Sequence, residues 1–195
     1  MKYIIAITLS FALFFLGNVT RLAAQKATNT SPFQLIVGGA VELGGDRAAW
    51  ITDESGEDLQ VRGAQGVSLS AGVRFRPSIL PNLMVDATVG YKYFGAYGKG
   101  ESIHMGRVPV HLTAHYFVTK DIRLGVGLLT NRGISVRGAG AGQDGQYDPS
   151  FGTKFEIGWR NFALGYTRMN YNRADDRERC AGGFGVTYLV PITGR

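Results

Sequence analysis

Three histidines, one cysteine and a scatter of serines and carboxylates are the side chains here that could carry chemistry. His111 and His115 come first, because paired histidines hold metals. In an extended strand, residues four apart share a face but lie roughly 13 Å from each other. That is too far for one ion, so the pair reads as polar packing and no metal site is expected. Glu101, Ser102 and His104 form a second group. A serine hydroxyl becomes a nucleophile when a base stands beside it. Three such residues within four positions often arise by chance, so they are weak rim candidates for catalysis. The run Gly138-Ala139-Gly140-Ala141-Gly142 lacks the Lys-Ser/Thr and the strand–loop–helix setting of a phosphate loop. It reads as a surface loop. Cys180 has no second cysteine to pair with inside the chain. No thiol–metal or dinucleotide motif is present, and no cofactor is expected.

The first 24 residues have the layout of a secretory signal. Lys2 precedes an apolar run from Tyr3 to Leu16, and Leu22-Ala23-Ala24 offers small residues for cleavage. This run of 14 residues falls short of the roughly 20 a membrane-spanning helix needs, and no later segment comes closer. We therefore expect residues 1–24 to be removed and residues 25–195 to form one domain. The full chain carries a formal net charge of +6, which drops to +4 without Lys2 and Arg21. So mild an excess, on an exported chain, excludes nucleic acid as the expected partner.

The elements that would position these groups are strands, because apolar residues recur at every second position. Eight segments alternate in this way: Phe33–Leu43, Gly66–Arg76, Asn82–Phe94, Met105–Val118, Asp121–Thr130, Ser150–Trp159, Asn161–Tyr171 and Ala181–Val190. Each is about ten residues, the length of a tilted strand crossing a bilayer. Short links (Pro77–Pro81, Thr119-Lys120, near Arg160) alternate strictly with long, polar ones (Gly44–Gln65, Gly95–His104, Asn131–Pro149, Asn172–Cys180). Outer-membrane barrels have short periplasmic turns and long extracellular loops. An even number of strands lets the sheet close and leaves no unpaired edge in lipid. The fold class expected is an all-β, eight-stranded, antiparallel up-and-down transmembrane barrel.

A soluble barrel would alternate too, with its apolar face turned inward. Two features favour lipid outside. The less apolar face is rich in glycine, including Gly72, Gly125, Gly158, Gly165 and Gly185, which would relieve crowding in a narrow lumen. Aromatic residues cluster near both ends of the apolar face. Phe75, Tyr116, Trp159, Phe162 and Tyr188 lie near the short turns, and Tyr91, Tyr93 and Phe151 near the long loops. Two such girdles match the two membrane interfaces. The inward face then gathers Glu42, Arg74, Arg76, Asp86, Lys92, Arg107, His111, His115, Arg123, Lys154 and Glu156. Charges held inside a narrow barrel must pair. Arg74 and Arg76 precede a short turn and Asp86 follows it, so an ion pair is expected there.

The C-terminal stretch Gly185-Val186-Thr187-Tyr188-Leu189-Val190, together with the eight-segment pattern, resembles the small outer-membrane barrels of the OmpA/OmpX type. The resemblance covers the whole mature chain and implies a last-strand signal for the barrel-assembly machinery. Such barrels often end on an aromatic residue, whereas this chain continues Pro191-Ile192-Thr193-Gly194-Arg195. The likeness is architectural and assigns no chemistry. Three functions stay open. A non-enzymatic barrel would support the envelope or make surface contacts through its long loops. Arg47, Arg132, Arg137, Arg173, Arg177 and Arg179 could then meet phosphates of membrane lipid and lipopolysaccharide. A lipid-A-modifying enzyme would use the Ser102–His104 rim. A narrow conduit would pass ions or small solutes. The barrel is expected to be a monomer.

Overall fold

The computed structural model describes residues 31–45, 47–52, 56, 58–97, 102–138, 145–146, 151–172 and 178–192. The expected signal segment and Glu101 lie outside them. In chain order the strands are β1 (Phe33–Gly44), β2 (Arg47–Thr52), β3 (Asp58–Arg62), β4 (Gly66–Phe75), β5 (Leu83–Tyr97) and β6 (Ser102–Phe117). They continue as β7 (Ile122–Gly138), β8 (Gly145–Gln146), β9 (Phe151–Trp159), β10 (Phe162–Asn172) and β11 (Glu178–Pro191).

Eight of these strands close a ring. Around it run β1, β4, β5, β6, β7, β9, β10 and β11, each antiparallel to the next. The last strand returns to the first, with Val37 opposite Val190 and Val41 opposite Val186. Closure satisfies the backbone groups that an edge would leave bare in lipid. The short links are tight. At the first, the Leu83 amide donates to Leu80 O at 2.9 Å. At the second, Thr119 Oγ1 accepts from the Ile122 amide at 3.0 Å.

The two faces separate by alternation. Val67, Leu69, Val110, Leu112 and Phe155 point out and are 39–57% exposed, while Ile36, Met84 and Met169 point in and are at most 2% exposed. The continuous apolar face marked by the alternation is therefore the outer one. Aromatic pairs brace the outer wall near the short turns, with ring centroids 4.8 Å apart for Phe33–Phe75 and 4.7 Å for Phe162–Tyr188.

Above the apolar band the strands run on beyond the expected segments. β5 reaches Tyr97, β6 begins at Ser102 and β7 ends at Gly138, so the Gly95–His104 link is mostly ladder. Backbone pairing continues into water after the hydrophobic pattern has stopped. A bulge between Gly106 and Val108 shifts the β6–β7 register at this height. The Gly44–Gln65 link contains the β2–β3 hairpin, and its return arm packs against β5 and β6.

Candidate functional site

The lumen carries the polar residues, and strand register sets their heights. Arg74 of β4 faces Asp86 of β5 across the ladder. Its Nε and Nη2 donate to the two carboxylate oxygens at 2.8 and 2.9 Å, the expected ion pair in bidentate form. Asp86 Oδ2 lies 3.4 Å from His115 Nε2, and that nitrogen is 3.9 Å from Glu156 Oε2. Lys154 Nζ sits 2.7 Å from Glu156 Oε1 and 3.5 Å from His111 Nδ1. Polar and charged partners thus follow one another across β4, β5, β6 and β9. Arg74, Asp86, His115, Lys154 and Glu156 are each at most 9% exposed. An isolated charge would be too costly at such depth, so the chain of pairs is what lets the polar face turn inward.

The inward glycines make room for these long side chains. A Cβ on Gly125 would stand 2.7 Å from His115 Nδ1, one on Gly158 2.6 Å from Arg123 Cζ, and one on Gly185 2.5 Å from Glu42 Cγ. Each glycine therefore lies under a neighbour's polar group rather than beside open space.

At the loop end the lumen is stoppered by backbone. Gly63-Ala64-Gln65, following β3, turns inward, and the Ala64 amide donates to Gly44 O at 3.2 Å. Lys92 pairs with Glu42 and donates to Ala64 O at 2.7 Å. Arg107 donates through Nη1 to Gly63 O and through Nη2 to Gln65 O at 3.2 Å. Ala64 is buried, and its methyl occupies space that only Gly183 leaves open. Beneath this stopper lies a cavity of about 50 Å³ bordered by Glu42, Lys92, His111, Asn131 and Lys154. It has room for a few waters. Sequence alternation placed Lys92 and Arg107 inside, but it carried no signal that a loop would bend back to meet them.

At the turn end the lumen widens into a solvent-open funnel of about 690 Å³, lined by Arg74, Arg76, Lys120, Asp121, Arg123 and Arg160 among others. Arg76 departs from expectation. It is exposed at this mouth rather than buried. Its guanidinium lies 5.4 Å from the Phe117 ring centroid, and Nη2 points at Met84 Sδ. The reason is local: Arg76 is the first residue past the end of β4, and its amide donates to Pro32 O at 2.8 Å. Arg123 stays buried and donates through Nη1 to Arg160 O.

The rim candidates lie elsewhere. Ser102 and His104 share the outward parity of β6, opposite Tyr97 and Gly95. His104 Nδ1 is 2.6 Å from the Tyr93 hydroxyl, and its ring stacks on Tyr93 and meets Tyr97 edge-on. Among the described residues no hydrogen bond joins Ser102 to His104, so the imidazole is positioned by tyrosines and not toward the serine. Nor, among them, is any group of three His, Cys, Asp or Glu side chains arranged to hold a metal.

A closed ring of eight antiparallel strands with a greasy exterior, aromatic girdles and a packed polar interior is a bacterial outer-membrane β-barrel. No protein-family model and no curated protein matches the chain. Among solved structures it is similar to Ail, the attachment invasion locus protein of Yersinia pestis, at 10% identity. That match covers 81% of this chain and 97% of that one, with a TM-score of 0.42. The same protein in complex with the heparin analogue sucrose octasulfate matches at 12% identity over the same shares, with a TM-score of 0.38. Neisserial surface protein A (NspA) matches at 11% identity, again over 81% and 97%, with a TM-score of 0.42. These are parallels of architecture; the barrel's own two faces define its class.

Proposed function

We propose that this barrel is non-enzymatic and serves envelope structure and surface interaction through its loop end. The observation that carries the reading is the clamp of Lys92 and Arg107 on the Gly63–Gln65 backbone. A lumen stoppered in this way favours a wall over a conduit, and leaves the outer surface as the working part. On that surface Arg132, Arg137 and Arg168 are exposed near the loop end. They suit the phosphates of lipopolysaccharide, the partner we assign, at about 1 kcal/mol for each basic residue near an anionic surface. The closed ring has no free edge, which supports a monomer, and Gly185–Val190 on β11 is the segment we assign to the assembly machinery.

Reconstitution tests this. In planar bilayers the purified chain is expected to be electrically silent. Replacing Arg132, Arg137 and Arg168 with Gln should lower the lipopolysaccharide retained on purification, while the folded band on an unboiled gel keeps its mobility. Steady single-channel steps would overturn the reading in favour of a conduit. Lipid A whose mass changes with the intact chain, but not with Ser102→Ala and His104→Ala, would overturn it in favour of an enzyme.

A further inference from the structure

The funnel at the turn end has no part in the surface reading, yet basic side chains predominate among its charged lining. Five basic side chains line it (Arg74, Arg76, Lys120, Arg123 and Arg160) against one acid, Asp121. The acids at this end are already matched. Asp86 holds Arg74 at 2.8 Å, Glu156 holds Lys154 at 2.7 Å, and Asp121 lies 3.3 Å from Arg160 Nε. The net field of the mouth is therefore positive, in a wall of low dielectric that strengthens it.

Arg123 gives that field a specific donor. It is 3% exposed, it lines the funnel, and its Nε has no hydrogen-bond partner among the described residues. Its side chain lies against Gly158, where any Cβ would strike it, so the seat is shaped for this side chain. A buried N–H left without an acceptor carries an uncompensated loss of hydration, which an incoming oxygen would offset. The neighbouring turn is held with similar care. Arg160 has φ 53°, a left-handed conformation that glycine adopts more easily. Three contacts fix it there. Its amide donates to Asp121 O at 2.9 Å, its carbonyl accepts from Arg123, and its guanidinium sits 5.1 Å from the Trp159 ring centroid. An over-determined residue in a sparsely populated conformation is a mark of functional positions.

We propose that this mouth binds an oxyanion of the phosphate class from the periplasmic side, with Arg123 Nε as the buried donor and Arg76 and Lys120 as the outer charges. Guanidinium forks match the oxygen spacing of phosphate and explain why arginine predominates here. The same chemistry could arrive as free phosphate or as the headgroup of an inner-leaflet phospholipid.

The test uses the whole refolded chain in zwitterionic detergent and follows the arginine Nε–H resonances by NMR as inorganic phosphate is added. A saturable shift of the Arg123 signal is expected, weakened about tenfold or more in Arg76→Gln/Lys120→Gln. Both positions are exposed, so the variant should fold, and unchanged gel mobility would confirm it. A second arm embeds the chain in nanodiscs of zwitterionic lipid with or without phosphatidylglycerol. A shift that needs the anionic lipid and not free phosphate supports the site with a headgroup as occupant. Equal shifts with chloride, equal affinity in the double variant, or no saturable shift in either arm would each overturn the proposal.

Discussion

The two mouths of the lumen are both basic, and they are built to opposite ends. At the loop end Lys92 and Arg107 are buried, and their donors are taken up by Glu42 and by the carbonyls of Gly63, Ala64 and Gln65. At the turn end Arg76 and Lys120 stand exposed around an open funnel. An inward or rim cation therefore has no fixed meaning in such a barrel. What decides its role is whether backbone folds over it. The 22-residue Gly44–Gln65 link is long enough to return into the mouth, whereas the turn at Arg160–Asn161 has nothing left to fold back.

This contrast is most exposed to failure at the belt of charge between the mouths. Asp86→Ala removes both acceptors of the buried Arg74 and the nearer carboxylate of His115. Breaking one side of a buried pair costs about 3–5 kcal/mol. A denaturant titration in detergent should show that loss as a lower midpoint. The double change Arg74→Met/Asp86→Leu should restore most of it, because it leaves no orphaned charge. A single variant with unaltered stability would mean the belt is solvated and the two mouths are continuous.

The outer wall supplies the next largest effect. Val126 lies mid-strand on β7, faces out and is 56% exposed. In lipid vesicles Val126→Arg should cost about 2–4 kcal/mol, the price of arginine near the bilayer midplane. On a water-facing wall the same change would fall within about 0.5 kcal/mol. The loop-end clamp is of similar size. Lys92→Met deletes charge-assisted bonds to Glu42 and Ala64 O, each of a kind contributing about 1.5–3 kcal/mol. Its signature is local: faster protease cleavage within Gly44–Gln65, with the barrel fragment still heat-modifiable. Unchanged cleavage would show that Arg107 alone seats the loop.

Much of this architecture was legible because period-two alternation reports which face a residue occupies. The eight barrel strands, the outward set around Leu69 and Leu112, and the Arg74–Asp86 pair all follow from face and from nearness to a short turn. Height and azimuth around the ring are not encoded that way. His115 and Glu156 are 41 positions apart in sequence and meet only because β6 and β9 flank β7 in a closed sheet. The Ala64 stopper leaves no mark in the sequence, because its anchors are carbonyl oxygens, which every residue has. Arg76 lies one residue past the end of β4, where alternation no longer reports burial. The upper reaches of β5, β6 and β7 carry no such mark for the opposite reason: ladders persist where the apolar pattern does not.

The smallest expected effect bears most directly on the difference between the mouths. Lys120 is exposed at the funnel, so Lys120→Gln should move stability by no more than about 0.5 kcal/mol. Arg76→Gln gives up a contact with the Phe117 ring and should cost about 0.5–1 kcal/mol. Both lie below the Lys92→Met loss, although all three remove one positive charge from the same lumen axis. Measured together by one denaturant series, they separate charge that holds the fold from charge available to a ligand. If Lys120→Gln proved as damaging as Lys92→Met, the turn-end cations would belong to the fold's own scaffolding. The funnel would then be a second packed end rather than an open one.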